Sequence, residues 1–491
     1  MQSERKCGVR RRVVLAGVAL VGLASSQAMA EPATEQGAKA IRDEITRYFG
    51  PKVFEKGILT IKPNGDGYDL TYDVSSSKLG LPADGAQFSF GPFTGHVKPE
   101  ADGKYVFEQT TPSLDFTYKS GKAGPQSELV QRLKNCTGKG VFDLKAVQFA
   151  DQSMSCESAV FTMRSPIEDI DASLGKIDFA LIGKVGEAGK SDLNMTGDLL
   201  DLVETVTVKD PANPAPPMVL RADRIHETFA ANGFSSQQFM QALAYFAARK
   251  AGDNGKAAQE QARAKLKAML PLWKTLAAQI RYDNLTVGTP KGIIKIATVD
   301  TNLASNGLVK TGNVGLNLAM NGLVLPDGMV PDWAKAVVPD KATLDINLTG
   351  LDLETIAGKA IEVGTDAKPA QPGALQAALM PLLLAGQPKL AFDQTLTAPA
   401  YDVKGKGESS LLPAQQGKAT VSASNLDEIA AALGKAGAAG PGPQRAAMGI
   451  AFLKGLAKTE ADGRLTWDID FDSLARKVTV NGQSFGPGAQ K

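Results

Sequence analysis

The sequence predicts an α+β, β-rich fold: long antiparallel curved sheets with flanking amphipathic helices and a central helical insertion. Three observations predict it. Short alternations of apolar and polar residues recur along most of the chain, separated by turn residues. Two runs with helical spacing interrupt them near the middle. The chain is 43% hydrophobic but only 6% aromatic, which permits a core, argues against global disorder, and leaves few rings to fill a dense interior.

In chain order, residues 34–49 predict a helix, with Ile41, Ile45, Tyr48 and Phe49 on one face and Gly50-Pro51 ending it. A hairpin follows: Ile58–Ile61, the turn Asn64-Gly65-Asp66-Gly67, then the alternating arm Tyr68–Val74. The turn resembles the start of a calcium loop but lacks the later acidic ligands, so it is expected to be only a turn. Lys104–Gln109, Leu114–Lys119, Val141–Phe149, Ala159–Met163, Lys176–Ile182 and Leu202–Val208 read as short strands. Beyond the middle, so do Ile293–Val299, Val314–Ala319, Thr343–Thr349, Lys389–Thr397, Lys418–Ala423, Leu465–Phe471 and Lys477–Val480. Ser235 caps a helix to about Ala251, and a second runs from Lys256 to Ile280, with Pro271 placed to kink it. Shorter helices are expected at 351–361, 374–385, 425–435 and 444–457. Asn306-Gly307 and Asn321-Gly322 mark hairpin turns. The resulting division is 1–30, a β-rich 31–233, the helical insertion 234–280 and a β-rich 281–491, with Pro/Gly/Ala-rich linkers at 210–217, 364–373 and 437–443.

Residues 1–30 have the three parts of an export signal. Arg5, Lys6, Arg10, Arg11 and Arg12 are basic, Val13–Ala24 is a charge-free apolar stretch, and Ala28-Met29-Ala30 offers small residues for cleavage before Glu31. The stretch is shorter than the roughly 20 residues a membrane span needs. Arg11-Arg12 loosely suggests a twin-arginine signal. The expected compartment is therefore the periplasm. Removing the signal also changes the charge. The whole chain has 54 Lys+Arg and 52 Asp+Glu, and the signal holds five of the former and Glu4, leaving 49 and 51, a net of −2. Clustered Lys/Arg is missing from the remainder, so no nucleic-acid partner is expected.

That compartment bears on the cysteines. Cys7 leaves with the signal, and Cys136 and Cys156 remain, which in an oxidising space most simply form one disulfide. Closing a loop of about 20 residues would contribute on the order of 3 kcal/mol. With His96 and His226 the only histidines, neither a zinc site nor Ser/His/acid catalysis is expected, and no Gly-x-Ser-x-Gly elbow occurs. His96 is placed in a turn beside Gly95. Gly186–Ser191 ends in Gly-Lys-Ser, but the glycine a phosphate loop needs five places earlier is Lys184. Asp468, Asp470 and Asp472 alternate, which predicts a solvated strand face. No catalytic residue, metal or cofactor is assigned.

Gly463–Ile469 followed by Lys477–Gln483, the hairpin Gly57–Val74 after an N-terminal helix, and Pro339–Leu348 leading through Gly350-Leu351 into a helix form a recognisable layout. It resembles the exported bacterial proteins grouped as domain of unknown function 2125, broadly similar to family 945 and to AsmA-like envelope proteins. The resemblance implies a periplasmic β-rich protein and supplies no reaction and no catalytic residues. The first expectation is thus a non-enzymatic envelope protein with a sheet groove for lipid or another amphiphile. The second is a structural or protein-interaction module of the envelope. A hydrolase with an unrecognised site is third, with only His96 and His226 to draw on.

Overall fold

The computed structural model describes residues 33–485, apart from 80–83, 101–102, 122–125, 144–147, 187–188, 211, 213–214, 249–254, 336, 366–372, 412–414 and 436–440. The expected export segment, with Ala28, Ala30 and Glu31, lies outside the described residues.

Helix α1 (Glu35–Phe49) starts where the Thr34 side chain accepts the Gly37 amide at 3.0 Å, and it ends at Gly50, φ 72°. After α2 (Lys52–Glu55) comes the expected hairpin of β1 (Leu59–Asn64) and β2 (Gly67–Ser75), reversed through Gly65 at φ 59°. Then follow α3 (Ser76–Leu79), β3 (Gln87–Pro99), β4 (Lys104–Lys119), β5 (Glu128–Asp143), β6 (Gln148–Arg164), β7 (Glu168–Leu174), β8 (Ile177–Val185), β9 (Ser191–Val208) and β10 (Met218–Phe234). Helices α4 (Ser236–Ala248) and α5 (Lys256–Lys267) intervene before β11 (Thr275–Thr289), β12 (Gly292–Ser305) and β13 (Gly312–Asn321). The remainder is α6 (Asp332–Lys335), β14 (Lys341–Leu351), α7 (Leu353–Gly364), α8 (Ala374–Ala385), β15 (Lys389–Thr397), β16 (Asp402–Ser410) and β17 (Gln416–Ala423). The chain closes with α9 (Leu426–Lys435), α10 (Pro441–Leu456), β18 (Lys458–Thr459), β19 (Leu465–Asp472), β20 (Lys477–Val480) and β21 (Gln483–Phe485).

Among the described residues 21 strands join one antiparallel sheet, and nearly every strand pairs with its sequence neighbours. Strands β7 and β8 act as one, since both lie between β6 and β9. β18 adds a short edge to β19. The sheet runs unbroken across the helices at its middle, because β10 and β11 pair from Leu220↔Val287 to Asn232↔Thr275. The expected α+β, β-rich fold with a long antiparallel sheet is what forms.

Several sequence expectations are corrected. The second central helix ends at Lys267 rather than Ile280, and 275–289 is a strand. Leu276 and Ile280 also fit a two-residue period with Ala278 and Tyr282, and pairing on both edges decides between the two periods. Val141–Phe149 is not a strand. It straddles the β5–β6 connection, and Phe142 and Phe149 face each other across it, with ring centroids 5.1 Å apart. Lys104–Gln109 and Leu114–Lys119 are two parts of the 16-residue β4. His96 lies within β3, opposite Glu108, and not in a turn.

A crease crosses this sheet. Asn135, Asp201 and Asn284 have φ of 49°, 54° and 53° in mid-strand. The left-handed region costs an L-residue about 1–2 kcal/mol and is best tolerated by Asn and Asp. Ladder rungs are missing at Pro112/Asn135, Asn135/Glu157, Asp201/Asp223, Asp223/Asn284 and Asn284/Ala297, and likewise around Gly175-Lys176. Burial shifts phase there. Cys156 and Ala159, or Ala222 and Ile225, are buried together although a two-residue period puts them on opposite faces. Leu199, Leu202, Ala222, Ile225, Tyr282 and Leu285 form one cluster from both sides of the line. The sheet therefore folds along the crease, and its long and short arms turn their apolar faces toward each other.

Candidate functional site: an apolar trough

The register decides which side chains share the inner face, because directly opposed residues point the same way. From Ile225 on the long arm of β10, the rungs lead to Tyr282, Val299 and Met320. They continue to Ala342, Leu396, Val403 and Ala423, and end at Leu465 on β19. Two residues down the same face lie Leu318, Leu344 and, across from it, Gln394. Leu316, Ile346 and Phe392 form the next row. The other face is polar, with Asn302 donating to Asn317 at 3.0 Å and Asn317 donating to Asp345.

Helices cover this inner face at both ends. Ala38, Ile41 and Ile45 of α1 pack on Leu59, Leu70, Val97 and Phe107. At the other end Leu426 and Ile429 of α9 and Ile450 of α10 pack on Val403, Val421, Trp467 and Ile469. Between them the face is only partly covered, with Val299, Met320, Leu344, Ile346 and Phe392 half-buried. Within β12–β16 the only buried positions are Gly312, Leu351 and Gly405, two glycines and a strand-terminal leucine. Leu303, Leu318 and Leu396 point inward yet are 41%, 37% and 37% exposed. Five strands about 4.8 Å apart and about 30 Å long make a face on the order of 600 Å², part of it exposed. It continues into Ile280 of β11, 37% exposed. Beyond the crease Leu220, Leu285 and Ile296 carry the apolar face onward, and Leu220 and Leu285 join the cluster at the crease.

One inward group is out of character. Glu227 sits between Ile225 and Phe229 on β10, opposite Ile280 and Gly197. Burial pushes its carboxyl above the usual range, and the nearby His226 offsets this only in part.

The residues singled out from the sequence lie elsewhere. Cys136 and Cys156 are a directly opposed pair at the crease, bonded with S–S 2.12 Å and fully buried. The bond ties β5 to β6 at the crease. His96 and His226 both point outward and each meets a carboxylate: Nδ1 to Asp69 at 2.9 Å and Nδ1 to Asp198 at 2.8 Å. Burial raises the Asp198 carboxyl, but hydrogen bonds from His226 and Arg224 outweigh it and hold the group below its ordinary value. A separate depression of about 610 Å³ on that side includes Glu108, Lys139, Asp178 and Asp198 in its lining. It also includes Met154 and Phe179, and it lies on β4–β6, β8 and β9, away from β12–β16. Asp468 and Asp470 face outward with Lys458 and Lys418 at 2.8 and 3.8 Å, and Asp472 takes a hydrogen bond from Gln416, a solvated face as the alternation indicated. Asn64–Gly67 is the β1–β2 turn, where Asp66 meets Lys98 at 3.0 Å. Gly186 and Lys190 close the β8–β9 connection by a backbone bond of 2.8 Å. Among the described residues no three His, Cys, Asp or Glu gather as metal ligands, and no helix is long and apolar enough to cross a membrane.

At the far end Arg464 donates two hydrogen bonds to Asp402, at 2.9 and 2.7 Å. That fork and the Ser424 hydroxyl hold the Asp402 carboxyl down at about 2, against the opposing effect of burial, and lock β16 to the start of β19.

Sequence reasoning named no residue of the trough wall. The signal was present in the alternations at 293–299, 314–319, 343–349 and 389–397, whose odd or even members become one face once the register is known. No protein-family model, curated protein or solved structure matches the chain.

Proposed function

We propose that this chain is a non-enzymatic protein of the bacterial periplasm that holds the acyl part of a lipid, or of a similar amphiphile, in its trough. One observation carries the reading: the inner face of β12–β16 is apolar and none of its mid-strand side chains is buried. Exposing such a face to water is costly, at roughly 25 cal/mol per Å², so it calls for an apolar occupant. An extended acyl chain is about half of a 30 Å bilayer core, short enough to lie along one strand. The export-type sequence of residues 1–30 and the Cys136–Cys156 bond support an oxidising compartment.

The test is extraction and native mass spectrometry of protein purified from cells without detergent. Wild type is expected to carry bound lipid. Leu318→Glu and Leu344→Glu, which put a charge on the inner wall, are expected to lower it at least tenfold. Thr343→Glu, one residue away on the outer face, is expected to leave it unchanged. Lipid-free wild type, or equal loss in all three variants, would count against the trough as the binding site.

A further inference from the structure

The register carries four rungs of the inner face across the long arm, headed on β10 by Ile225, Glu227, Phe229 and Ala231. Followed strand by strand to β19, these rungs hold aliphatic and aromatic residues, glycines, Thr, Ser and Gln394. Among the described residues Glu227 is their only carboxyl, and no Lys, Arg or His lies on them. Ile225 and Phe229 flank it along the strand, with Ile280 and Gly197 opposite. Among the described residues nothing forms a hydrogen bond or ion pair with its carboxyl. His226, next in sequence, points outward and is engaged by Asp198 at 2.8 Å. A half-buried carboxylate without a partner costs free energy, and burial pushes this one above its usual range. Groups that cost the fold stability in this way are characteristic of binding sites.

Position ties the carboxyl to the exposed part of the face. Glu227 heads the rung of Ile280, Thr301, Leu318 and Leu344. Ile280 and Leu318 are each 37% exposed. With strands about 4.8 Å apart, Leu318 is about 14 Å from Glu227 along this rung and Leu344 about 19 Å. An extended acyl chain is about 15 Å, half of a bilayer core. A tail laid across the strands over Ile280 and Leu318 therefore leaves its head at Glu227. The chemistry of that head follows from the carboxylate, which only accepts hydrogen bonds. A phosphate or a second carboxylate beside it is repelled. A hydroxyl donates one bond and leaves the charge uncompensated. A primary ammonium both donates to it and neutralises it, the strongest of these pairings in a partly dry site.

We propose that Glu227 is the headgroup site of the trough and selects an amphiphile whose head carries a primary ammonium, its acyl tail over Ile280 and Leu318. The assignment rests on the trough reading and adds which amphiphile the trough takes.

The experiment offers delipidated protein vesicles of equal parts phosphatidylethanolamine and phosphatidylglycerol with identical acyl chains, and native mass spectrometry reads the ratio taken up. Wild type is expected to favour phosphatidylethanolamine by roughly tenfold or more. Glu227→Gln keeps the shape and is expected to bring the ratio to within about twofold of one, with total lipid little changed. Glu227→Lys is expected to reverse the preference. His226→Gln, on the outer face, is expected to keep the wild-type ratio. Dodecylamine and dodecanol separate the ammonium from the rest of a lipid head: the amine is expected to displace bound lipid from wild type better than the alcohol, and the two are expected to compete equally in Glu227→Gln. Circular dichroism and melting show the variants folded, and Glu227→Gln is expected to melt no lower than wild type. A wild-type ratio near one, or a preference that survives Glu227→Gln, overturns the headgroup assignment, while the lipid taken up leaves the trough reading standing. Wild type that takes up neither lipid sinks the trough reading and this assignment with it.

Discussion

Glu227 is the residue at which the trough is least suited to its lining. Its neighbours along the strand are Ile225 and Phe229, and Ile280 opposes it. Burial raises its carboxyl above the ordinary value of 4.5. The folded state therefore holds the proton to higher pH than the unfolded chain does. Between the ordinary and the raised value the folded state binds more protons, so stability falls as pH rises through that window, and the full penalty persists above it. Glu227→Gln keeps the shape and removes the charge. It is expected to raise the melting temperature at pH 7 and to have little effect at pH 4, where the carboxyl is already largely protonated in the folded protein. Thermal unfolding across pH 4–8 checks this, and parallel curves for wild type and variant would show that Glu227 is not penalised. In sequence Glu227 is one acidic residue among 52 Asp+Glu, and only the register reveals that it points inward.

At the scale of elements, the crease explains both what the sequence revealed and what it hid. Leu114–Lys119, Ala159–Met163 and Leu202–Val208 are real alternations, but each is only the arm beyond the crease of a longer strand. At Pro112, Glu157-Ser158 and Asp201 the phase slips by one residue, and a slip in a two-residue period looks like a turn. β16 was hidden for another reason. Two of its inward positions are Gly405 and Gly407, and the Phe392 ring of β15 lies where a Gly407 side chain would begin. An apolar pattern cannot be read from glycines, although a neighbouring strand supplies the missing surface. The disulfide was legible because two cysteines in an oxidising space leave one pairing. The crease itself makes a prediction at Asn284, φ 53°, whose amide also donates to Asp223 at 2.8 Å. Asn284→Val forces a β-branched residue into the left-handed region and is expected to cost about 1–2 kcal/mol. Asn284→Gly accepts that backbone freely and is expected to stay within about 0.5 kcal/mol of wild type. Urea unfolding distinguishes them, and equal losses would mean that the bend does not depend on this conformation.

Across the whole molecule the sheet is a one-directional array in which most strands touch only the two beside them. Stability in such an array is close to a sum of local terms, and the weakest stretch opens first. The terms are uneven here. The N-terminal end has α1 and a ring of buried aromatics, the crease has the disulfide and two clusters, and the C-terminal end has Trp467 under α9 and α10. Strands β12–β16 have backbone ladders on both sides but no buried side chain between their ends. Amide hydrogen exchange in delipidated protein is therefore expected to be fastest, among the central strands, in β12–β16 and slowest in β4–β6. An amphiphile that occupies the trough binds the folded form of those strands alone, so it must slow their exchange by mass action and leave β4–β6 nearly unchanged. Adding back the lipid recovered from cells and repeating the exchange measures both effects. Uniform protection before addition, or a change confined to β4–β6 after it, would place the occupant somewhere other than this face of the sheet.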